Sequence, residues 1–229
     1  MKDIKIIAFD ADDTLWINEP YFQETEHKFC ALLEDFLPHH TVSQELFRTE
    51  MDNLSLYGYG VKGFMLCMIE TISKVTDNKA KIELVNRTIE LGKELLRKPI
   101  ELIDGVEEVL KKLNGDYRLV MATKGDLLDQ ERKLINSGLE KHFHHIEIMS
   151  NKRTEDYQKL FKHLDCQPEH FLMVGNSIKS DVLPVLELGG FAIHVPYHTT
   201  WAHEQVTQKV DQPDFVQVKK ITEILSYLE

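Results

Sequence analysis

The stretch that begins at Lys5 constrains this chain most, because a short apolar run in it ends on three carboxylates within four positions. Residues 6–9 are Ile, Ile, Ala and Phe, and such a run without polar alternation predicts a strand buried on both faces of a parallel sheet. Asp10, Asp12 and Asp13 then lie at the carboxyl end of this strand, where open α/β sheets bind their ligands. Like charges packed there repel one another unless a cation or a proton joins them, so we expect a metal ion.

Asp10 and Asp12 also supply two carboxylates for the two tasks that phosphoryl transfer from an ester requires. One carboxylate attacks phosphorus, and a second one close by moves the proton. The pair therefore indicates phosphoryl-transfer chemistry at this edge of the sheet.

The length and charge of the chain limit the classes of function. Its 229 residues are enough for one well-buried domain, or for a core domain with a smaller insertion. The net charge of −11 argues against a protein that binds nucleic acid through its overall field, since that mode depends on clustered Lys and Arg. A small anionic substrate remains compatible, because local groups and a metal ion can reverse the sign inside one pocket.

The three cysteines, Cys30, Cys67 and Cys166, are far apart in the sequence and suggest neither a disulfide framework nor a Cys-x-x-Cys metal site. No apolar leader precedes the first strand, and no segment approaches the roughly 20 apolar residues that span a bilayer. We therefore expect a cytoplasmic protein without a membrane partner.

A block rich in helical hydrophobic spacing follows the first strand. Residues three to four apart repeat as apolar positions over 22–36, 42–56, 60–75 and 82–96, and Pro99 closes the last segment. Among these, Phe64, Met65, Met68 and Ile69 are expected in the core of a helix bundle. About four helices without a strand predict a separate helical subdomain over 17–98.

From residue 103 onward, predicted strands and helices alternate, which is typical of a parallel sheet. The expected strands are 117–123, 143–150, 170–175, 191–195 and a short one at 215–218. The expected helices are 105–113, 126–137, 154–164, 179–188 and 221–228. The pattern predicts an α/β core domain made of 1–16 and 99–229, into which the helical segment is inserted.

Polar clusters follow four of the predicted strands. Because the carboxyl ends of parallel strands meet at one edge, we expect these clusters to converge. They comprise Asp10, Asp12 and Asp13 after the first strand, Thr123, Lys124 and Gly125 after the second, Lys152 after the third, and Asn176, Ser177 and Asp181 after the fourth.

In this order, the Asp-x-Asp-x-Thr, Thr, Lys and Gly-x-Ser-x-x-x-Asp motifs resemble those of the haloacid dehalogenase superfamily of phosphohydrolases. The resemblance covers nearly the whole chain, and the segment 17–98 is similar to that family's helical cap of the first type. It implies an α/β fold with a Rossmann-like parallel sheet core flanked by helices, an inserted helical cap subdomain, bound Mg²⁺ and a phosphoaspartyl intermediate.

The resemblance implies that Asp10 is the nucleophile and that Asp12 is the acid/base, whose backbone carbonyl also ligates the metal. Asn176 and Asp181 resemble the remaining metal ligands, although the family usually has Asp where this chain has Asn176. An amide oxygen binds a hard cation but brings no charge. The sequence therefore leaves open that Asp181 contributes more to metal binding, through a bridging water. The dehalogenase branch lacks a carboxylate at the position of Asp12, which therefore favours phosphate chemistry.

The same resemblance implies that Thr123 donates its hydroxyl to the phosphoryl group, together with the backbone N–H groups of Lys124 and Gly125 at a helix start. Lys152 resembles the cation that screens the nucleophile from the phosphate. The sequence leaves Lys159 open as an alternative, although Lys159 lies in the middle of a predicted helix.

Several polar residues also have plainer interpretations. Asp13 is expected to be a turn or capping residue, and Thr14 is as consistent with a helix cap as with a site residue. The spacings of the clustered histidines match no zinc pattern well.

The sequence thus predicts a Mg²⁺-dependent phosphatase that hydrolyses a small phosphorylated metabolite, as a monomer or homodimer. Two alternatives remain. One is a phosphomutase or phosphotransferase acting on sugar phosphates, and the other is a catalytically weak member that binds a metabolite or a protein, for which Asn176 is the main support.

Overall fold

The computed structural model describes residues 3–206 and 209–228, which divide into two compact units. The larger unit comprises Met1–Glu19, Ile100–Lys124 and Gln130–Glu229, and the smaller comprises Pro20–Pro99 and Gly125–Asp129. The predicted core domain, 1–16 and 99–229, includes positions 1, 2, 207, 208 and 229, which lie outside the described residues. The assignment of 17–98 as a cap stays a prediction.

Among the described residues, six strands form one parallel sheet in the larger unit, in the order β3-β2-β1-β4-β5-β6. The predicted α/β fold class, a Rossmann-like parallel sheet flanked by helices, is thereby confirmed. The strands are β1 (Ile6–Phe9), β2 (Arg118–Lys124), β3 (His145–Met149), β4 (Phe171–Gly175), β5 (Phe191–His194) and β6 (Phe215–Gln217).

The helices follow the predicted order closely. They are α1 (Glu19–Ala31), α2 (His39–Tyr57), α3 (Val61–Val75), α4 (Ile82–Leu96), α5 (Val106–Leu113), α6 (Leu127–Ser137), α7 (Thr154–Leu164) and α8 (Leu183–Glu187). Short 3₁₀ helices lie at Glu140–His142, Pro168–His170, Ala202–Glu204 and Ile221–Tyr227, and the last of these replaces the α-helix expected at 221–228.

The helix expected at 179–188 begins instead as one turn of π-helix, Ile178–Val182, before α8. Pro184 lacks the N–H group that a regular helix would donate to the carbonyl of Ser180. That carbonyl accepts the hydroxyl of Tyr157 at 3.1 Å instead. The missing donor thus leaves the carbonyl of Ser180 to accept from Tyr157, and π-turns such as this one are frequent at functional sites.

Strand β1 is buried on both faces, as its sequence predicts. Ile7 and Phe9 join the apolar cluster that includes α5, whereas Ile6 and Ala8 join the cluster that includes α7. Side chains alternate between the faces of a strand, so helices on both sides of the sheet require the uninterrupted apolar run. This arrangement fixes Asp10 at the carboxyl edge of a rigid strand.

The smaller unit has an apolar core of its own, built from α1 to α4. Phe64 and Met68 are buried in it and Met65 packs against it, as predicted from their helical spacing. The same prediction was wrong for Ile69, which is only half-buried and lies outside this cluster. None of the helices in the described ranges is long and apolar enough to cross a bilayer.

Candidate active site

The candidate site lies at the carboxyl edge of the sheet in the larger unit, beside the ends of β1 and β4. Asp10 follows β1 directly, and its N–H donates to the carbonyl of Val174 in β4 at 2.9 Å. Asp10 is only 7% exposed. The pairing of two central strands therefore holds the backbone of Asp10 at a fixed position on the edge.

A buried ion triad joins three of the predicted residues. The Nζ atom of Lys152 lies 2.5 Å from Oδ1 of Asp10 and 2.7 Å from Oδ1 of Asp181. Residues 142 positions apart in the sequence thus meet in one contact. Lys159, the alternative, lies at the surface beside Asp156 instead.

Burial and charge oppose each other in this triad. Burial raises the pKa of Asp10 to about 7, against the influence of the Lys152 ammonium. Burial also works against the charge of Lys152, but the carboxylates of Asp10 and Asp181 outweigh it and raise the pKa of the lysine. The lysine is therefore held as an ammonium between two acidic groups.

Thr14 connects Asp10 to Asn176. Its hydroxyl lies 3.2 Å from Oδ2 of Asp10 and 3.3 Å from Oδ1 of Asn176. Both oxygens thus lie within hydrogen-bonding distance of one hydroxyl and face the same small space. The sequence left open whether Thr14 is a helix cap or a site residue, and these two contacts support the second interpretation.

Asp181 is placed by the end of β4 and the π-turn. Its Oδ2 accepts the N–H of Ser177 at 3.0 Å, and the side chain is almost fully buried. A Cβ atom on Gly175 would lie 2.2 Å from that oxygen. Glycine is therefore required at this position for the carboxylate to lie over the end of the strand.

The oxygen donors at this edge fit Mg²⁺. No group of three or more His, Cys, Asp or Glu residues with metal-binding geometry is present in the described part of the chain. Mg²⁺, however, is usually held by one or two carboxylates and keeps several waters. Asp10 and Asp181 supply the carboxylates, and the amide oxygen of Asn176 faces the same space as Asp10.

Asp12 is held by three side chains that the sequence analysis missed. Oδ1 accepts from Nε1 of Trp16 at 2.7 Å and from Nζ of Lys133 at 2.9 Å, while Oδ2 accepts from Nε2 of Gln130 at 2.8 Å. Lys133 also donates to Oδ1 of Asn18 at 2.7 Å. The three-residue spacing of Gln130 and Lys133 on a predicted helix was the available signal for this face.

The residues predicted to bind phosphate have distinct surroundings. Thr123 is 1% exposed, and its hydroxyl lies 3.4 Å from the carbonyl of Lys124. Nζ of Lys124 donates to Oγ of Ser180 at 2.9 Å and pairs with Glu204. Gly125 has a φ of 142° and groups with the smaller unit. The substrate-binding roles of Thr123, Lys124 and Gly125 stay predictions.

Asp13 is a capping residue, as predicted. Its carboxylate accepts the N–H groups of Asn18 and Glu19 at 2.9 to 3.1 Å, at the start of α1. Burial nevertheless raises the pKa of Asp13 to about 7. Asp13 therefore contributes to local structure and not to the ion triad.

His194 also supports the site without prior indication from the sequence. It ends β5, and its Nε2 lies 2.9 Å from the backbone carbonyl of Asn176. Strand β5 thus helps to hold the loop that carries Asn176.

The chain is similar to known hydrolases in sequence and in fold. A family model of haloacid dehalogenase-like hydrolases matches residues 4–189. A haloacid dehalogenase-like family hydrolase from Xanthomonas campestris is 36% identical, with a TM-score of 0.89 over 99% of this chain and 91% of that chain. A search of curated proteins found no match.

Two more distant structures share the fold alone. The hydrolase YfnB from Bacillus subtilis, solved with bound magnesium, is 19% identical, with a TM-score of 0.66 and full coverage of both chains. L-2-haloacid dehalogenase from Xanthobacter autotrophicus, solved with covalently bound chloropropionic acid, is 13% identical, with a TM-score of 0.66 over 98% of each chain. From the matched residues and the 36% identical relative, we conclude that the chain belongs to the haloacid dehalogenase-like hydrolase family.

Proposed function

We propose that this protein is a Mg²⁺-dependent phosphatase that hydrolyses a small phosphorylated metabolite in the cytoplasm. The observation that carries the proposal is the carboxylate of Asp12, held two residues beyond the buried Asp10 by Trp16, Gln130 and Lys133. A leaving alkoxide needs a proton, whereas a leaving halide does not. A second positioned carboxylate therefore favours phosphate esters over haloacids.

In the first step, a carboxylate oxygen of Asp10 attacks phosphorus and the bond from phosphorus to the ester oxygen breaks. For this step Asp12 begins in the carboxylic-acid form, and it gives its proton to that leaving oxygen and becomes a carboxylate. In the structure, Oδ2 of Asp12 accepts a hydrogen bond from Gln130. When Oδ2 contacts the leaving oxygen instead, its proton lies where the transfer requires it. The products are an alcohol and an acyl phosphate on Asp10.

In the second step, water attacks the phosphorus atom of the acyl phosphate. Asp12 accepts the proton of the water, the bond between phosphorus and Asp10 breaks, and inorganic phosphate leaves. Lys152 contacts Asp10, and its positive charge offsets the negative charge that would otherwise repel the incoming phosphate.

Asp10, Asn176 and Asp181 are the residues proposed to hold Mg²⁺, together with the backbone carbonyl of Asp12. When bound, the ion supplies positive charge that reduces repulsion between the phosphate and the carboxylates. The bound magnesium of the hydrolase YfnB supports the choice of metal.

The nucleophile is tested by the variant Asp10→Asn. We expect it to lose at least about 10³-fold in kcat for p-nitrophenyl phosphate, because an amide cannot form the acyl phosphate. Asp104→Asn, at an exposed carboxylate in the same unit, is the matched control and is expected to keep full activity. Substantial turnover by Asp10→Asn with a native circular dichroism spectrum would refute the proposed nucleophile.

The reaction class is tested on the wild-type protein. We expect release of inorganic phosphate from a panel of phosphorylated metabolites, with loss of activity in the presence of a chelator. Halide release from 2-haloacids in place of phosphate would identify a dehalogenase. Isomerised sugar phosphate without free phosphate would identify a mutase, and no turnover of any substrate would favour a binding protein.

A further inference from the structure

Glu204 is a buried carboxylate that neither the sequence motifs nor the proposed mechanism uses. It ends the short 3₁₀ helix Ala202–Glu204, and its side chain is 11% exposed. Oε2 accepts from Oγ of Ser177 at 2.5 Å and from Oγ of Ser180 at 2.7 Å. Oε1 pairs with Nζ of Lys124. Three side-chain donors therefore converge on this one carboxylate.

The three donors come from two separate strand ends. Lys124 is the last residue of β2 and directly follows Thr123, whereas Ser177 and Ser180 lie in the loop and π-turn after β4. Nζ of Lys124 also donates to Oγ of Ser180 at 2.9 Å, so the donors are joined to each other as well. Glu204 thus connects the phosphate-side strand end to the metal-side one.

The donors are also neighbours of the site residues. Ser177 follows Asn176, and its N–H donates to Oδ2 of Asp181 at 3.0 Å. Ser180 directly precedes Asp181 in the sequence, and its N–H donates to Oγ of Ser177 at 3.0 Å. A shift of Ser177 or Ser180 would consequently move the carboxylate of Asp181, which contacts Lys152.

The members of this network are buried and bonded to one another, which makes each of them costly to remove. A buried ammonium such as that of Lys124 is unfavourable unless a carboxylate pairs with it. Serine hydroxyls that lose their acceptor in a buried position also destabilise their local conformation. Without Glu204, Lys124, Ser177 and Ser180 would lose a shared acceptor, so we expect the loop after β4 to rearrange.

We propose that Glu204 is a positioning residue, which ties the ends of β2 and β4 together so that Asp181 is held in place for the metal ion and for Lys152. This inference rests on the proposed Mg²⁺ site. It predicts that Glu204 acts through Ser177 and Ser180 and does not contact the substrate.

The first test uses Glu204→Ala in the full chain, with Glu140→Ala as the matched control. Glu140 is an exposed glutamate that also lies in a short 3₁₀ helix of the same unit. We expect hydrogen exchange of the amides of residues 177–182 to rise at least 10-fold in Glu204→Ala and to stay unchanged in Glu140→Ala. Exchange at wild-type rates in Glu204→Ala would overturn the proposal.

The second test measures Mg²⁺ binding directly by isothermal titration calorimetry, without substrate. We expect Glu204→Ala to bind Mg²⁺ at least 10-fold more weakly than the wild-type protein. Faster exchange with unchanged Mg²⁺ affinity would show that Glu204 only braces the loop, and would overturn the positioning role. If the wild-type protein binds no Mg²⁺, the proposed metal fails, and the exchange measurement still decides whether Glu204 holds the loop.

Chemical rescue provides a third test that a purely structural defect would not pass. Acetate has the size of the group that Glu204→Ala removes, so we expect added acetate to restore Mg²⁺ affinity and slow exchange in this variant. Chloride at equal ionic strength is the control and should restore neither. If Glu204→Ala does not fold, the hydrogen-exchange and Mg²⁺-binding measurements apply to Glu204→Gln, which keeps an acceptor for the serines but loses the charge opposite Lys124. Failure of acetate to act on a folded Glu204→Ala protein would count against the proposal.

Discussion

Gly175 shows how a single missing side chain makes room for the carboxylate of Asp181. Its backbone ends β4, and a Cβ atom there would lie 2.2 Å from Oδ2 and 2.7 Å from Cβ of Asp181. No rotation of one side chain relieves a contact with both atoms. The glycine of the Gly-x-Ser-x-x-x-Asp motif is therefore a steric requirement of the site.

We predict that Gly175→Ala displaces Asp181 and lowers kcat/KM by about 10²-fold, a loss typical of displacements near 1 Å. Gly115→Ala is the control, because Gly115 has a φ of 104° and nothing within 4 Å of its Cβ position. That variant should lose about 1 kcal/mol of stability through backbone strain but keep its activity. Steady-state kinetics and urea unfolding distinguish the two outcomes, and unchanged kcat/KM in Gly175→Ala would contradict the prediction.

At the scale of elements, the π-turn Ile178–Val182 depends on a contact from another helix. The hydroxyl of Tyr157 in α7 donates to the carbonyl of Ser180, and Tyr157 is fully buried. We predict that Tyr157→Phe lowers the free energy of unfolding by about 1–3 kcal/mol, because a buried carbonyl loses its donor. Urea unfolding measures this loss.

The control for this variant is Tyr117→Phe. The hydroxyl of Tyr117 also donates to a backbone carbonyl, that of Leu228 at 2.9 Å, but Tyr117 is only half-buried. Water can replace its bond, so we expect a loss below about 1 kcal/mol. Equal losses in both variants would show that the hydroxyl of Tyr157 has no special role in the π-turn.

The short helix Ala202–Glu204 gives a pH-dependent contribution to stability. Burial opposes the charge of Glu204, but the Lys124 ammonium and the two serine hydroxyls outweigh it and lower its pKa from 4.5 to about 2. The native state therefore binds fewer protons than the unfolded state between these values. The stabilisation is complete above about pH 4.5 and is lost as the pH falls toward 2.

We predict that the difference in free energy of unfolding between the wild-type protein and Glu204→Gln is about 3 kcal/mol near pH 6 and shrinks between pH 4.5 and 3. Urea unfolding at several pH values measures this difference. A difference that stays constant over this pH range would mean that its partners do not lower the pKa of Glu204 in the native state.

At the scale of the whole molecule, each compact unit has its own apolar core. Leu172 lies in the core on one face of the sheet, and Met68 lies in the core of α1 to α4. Both are 0% exposed. The two clusters share no residue, so we expect each to respond to a cavity of its own.

We predict that Leu172→Ala and Met68→Ala each lower the free energy of unfolding by about 2–5 kcal/mol, because each leaves a buried cavity. Amide hydrogen exchange should rise chiefly in the unit that carries the substitution. Leu66→Ala, at an exposed leucine of α3, is the control and should change the stability by less than about 0.5 kcal/mol. An equal rise in both units would mean that they unfold as one cooperative body.

The sequence by itself determined the features that depend on local spacing and on the order of motifs. The apolar run before Asp10 requires burial on both faces, so it specified a central strand of a parallel sheet, and alternating patterns specified most of the remaining elements. The resemblance of the motifs then indicated that Lys152 and Asp181 belong with Asp10, which the structure shows as a direct contact.

Only the tertiary structure decided which side chains surround these motifs. Gln130 and Lys133 reach Asp12 from α6, and Glu204 reaches Lys124 across 80 positions of the sequence. No local pattern encodes such pairs, because a side chain's partner depends on where its element packs and which way it faces. The sequence thus predicted which residues form the candidate site, whereas the packing of the chain determined how their side chains are held in place.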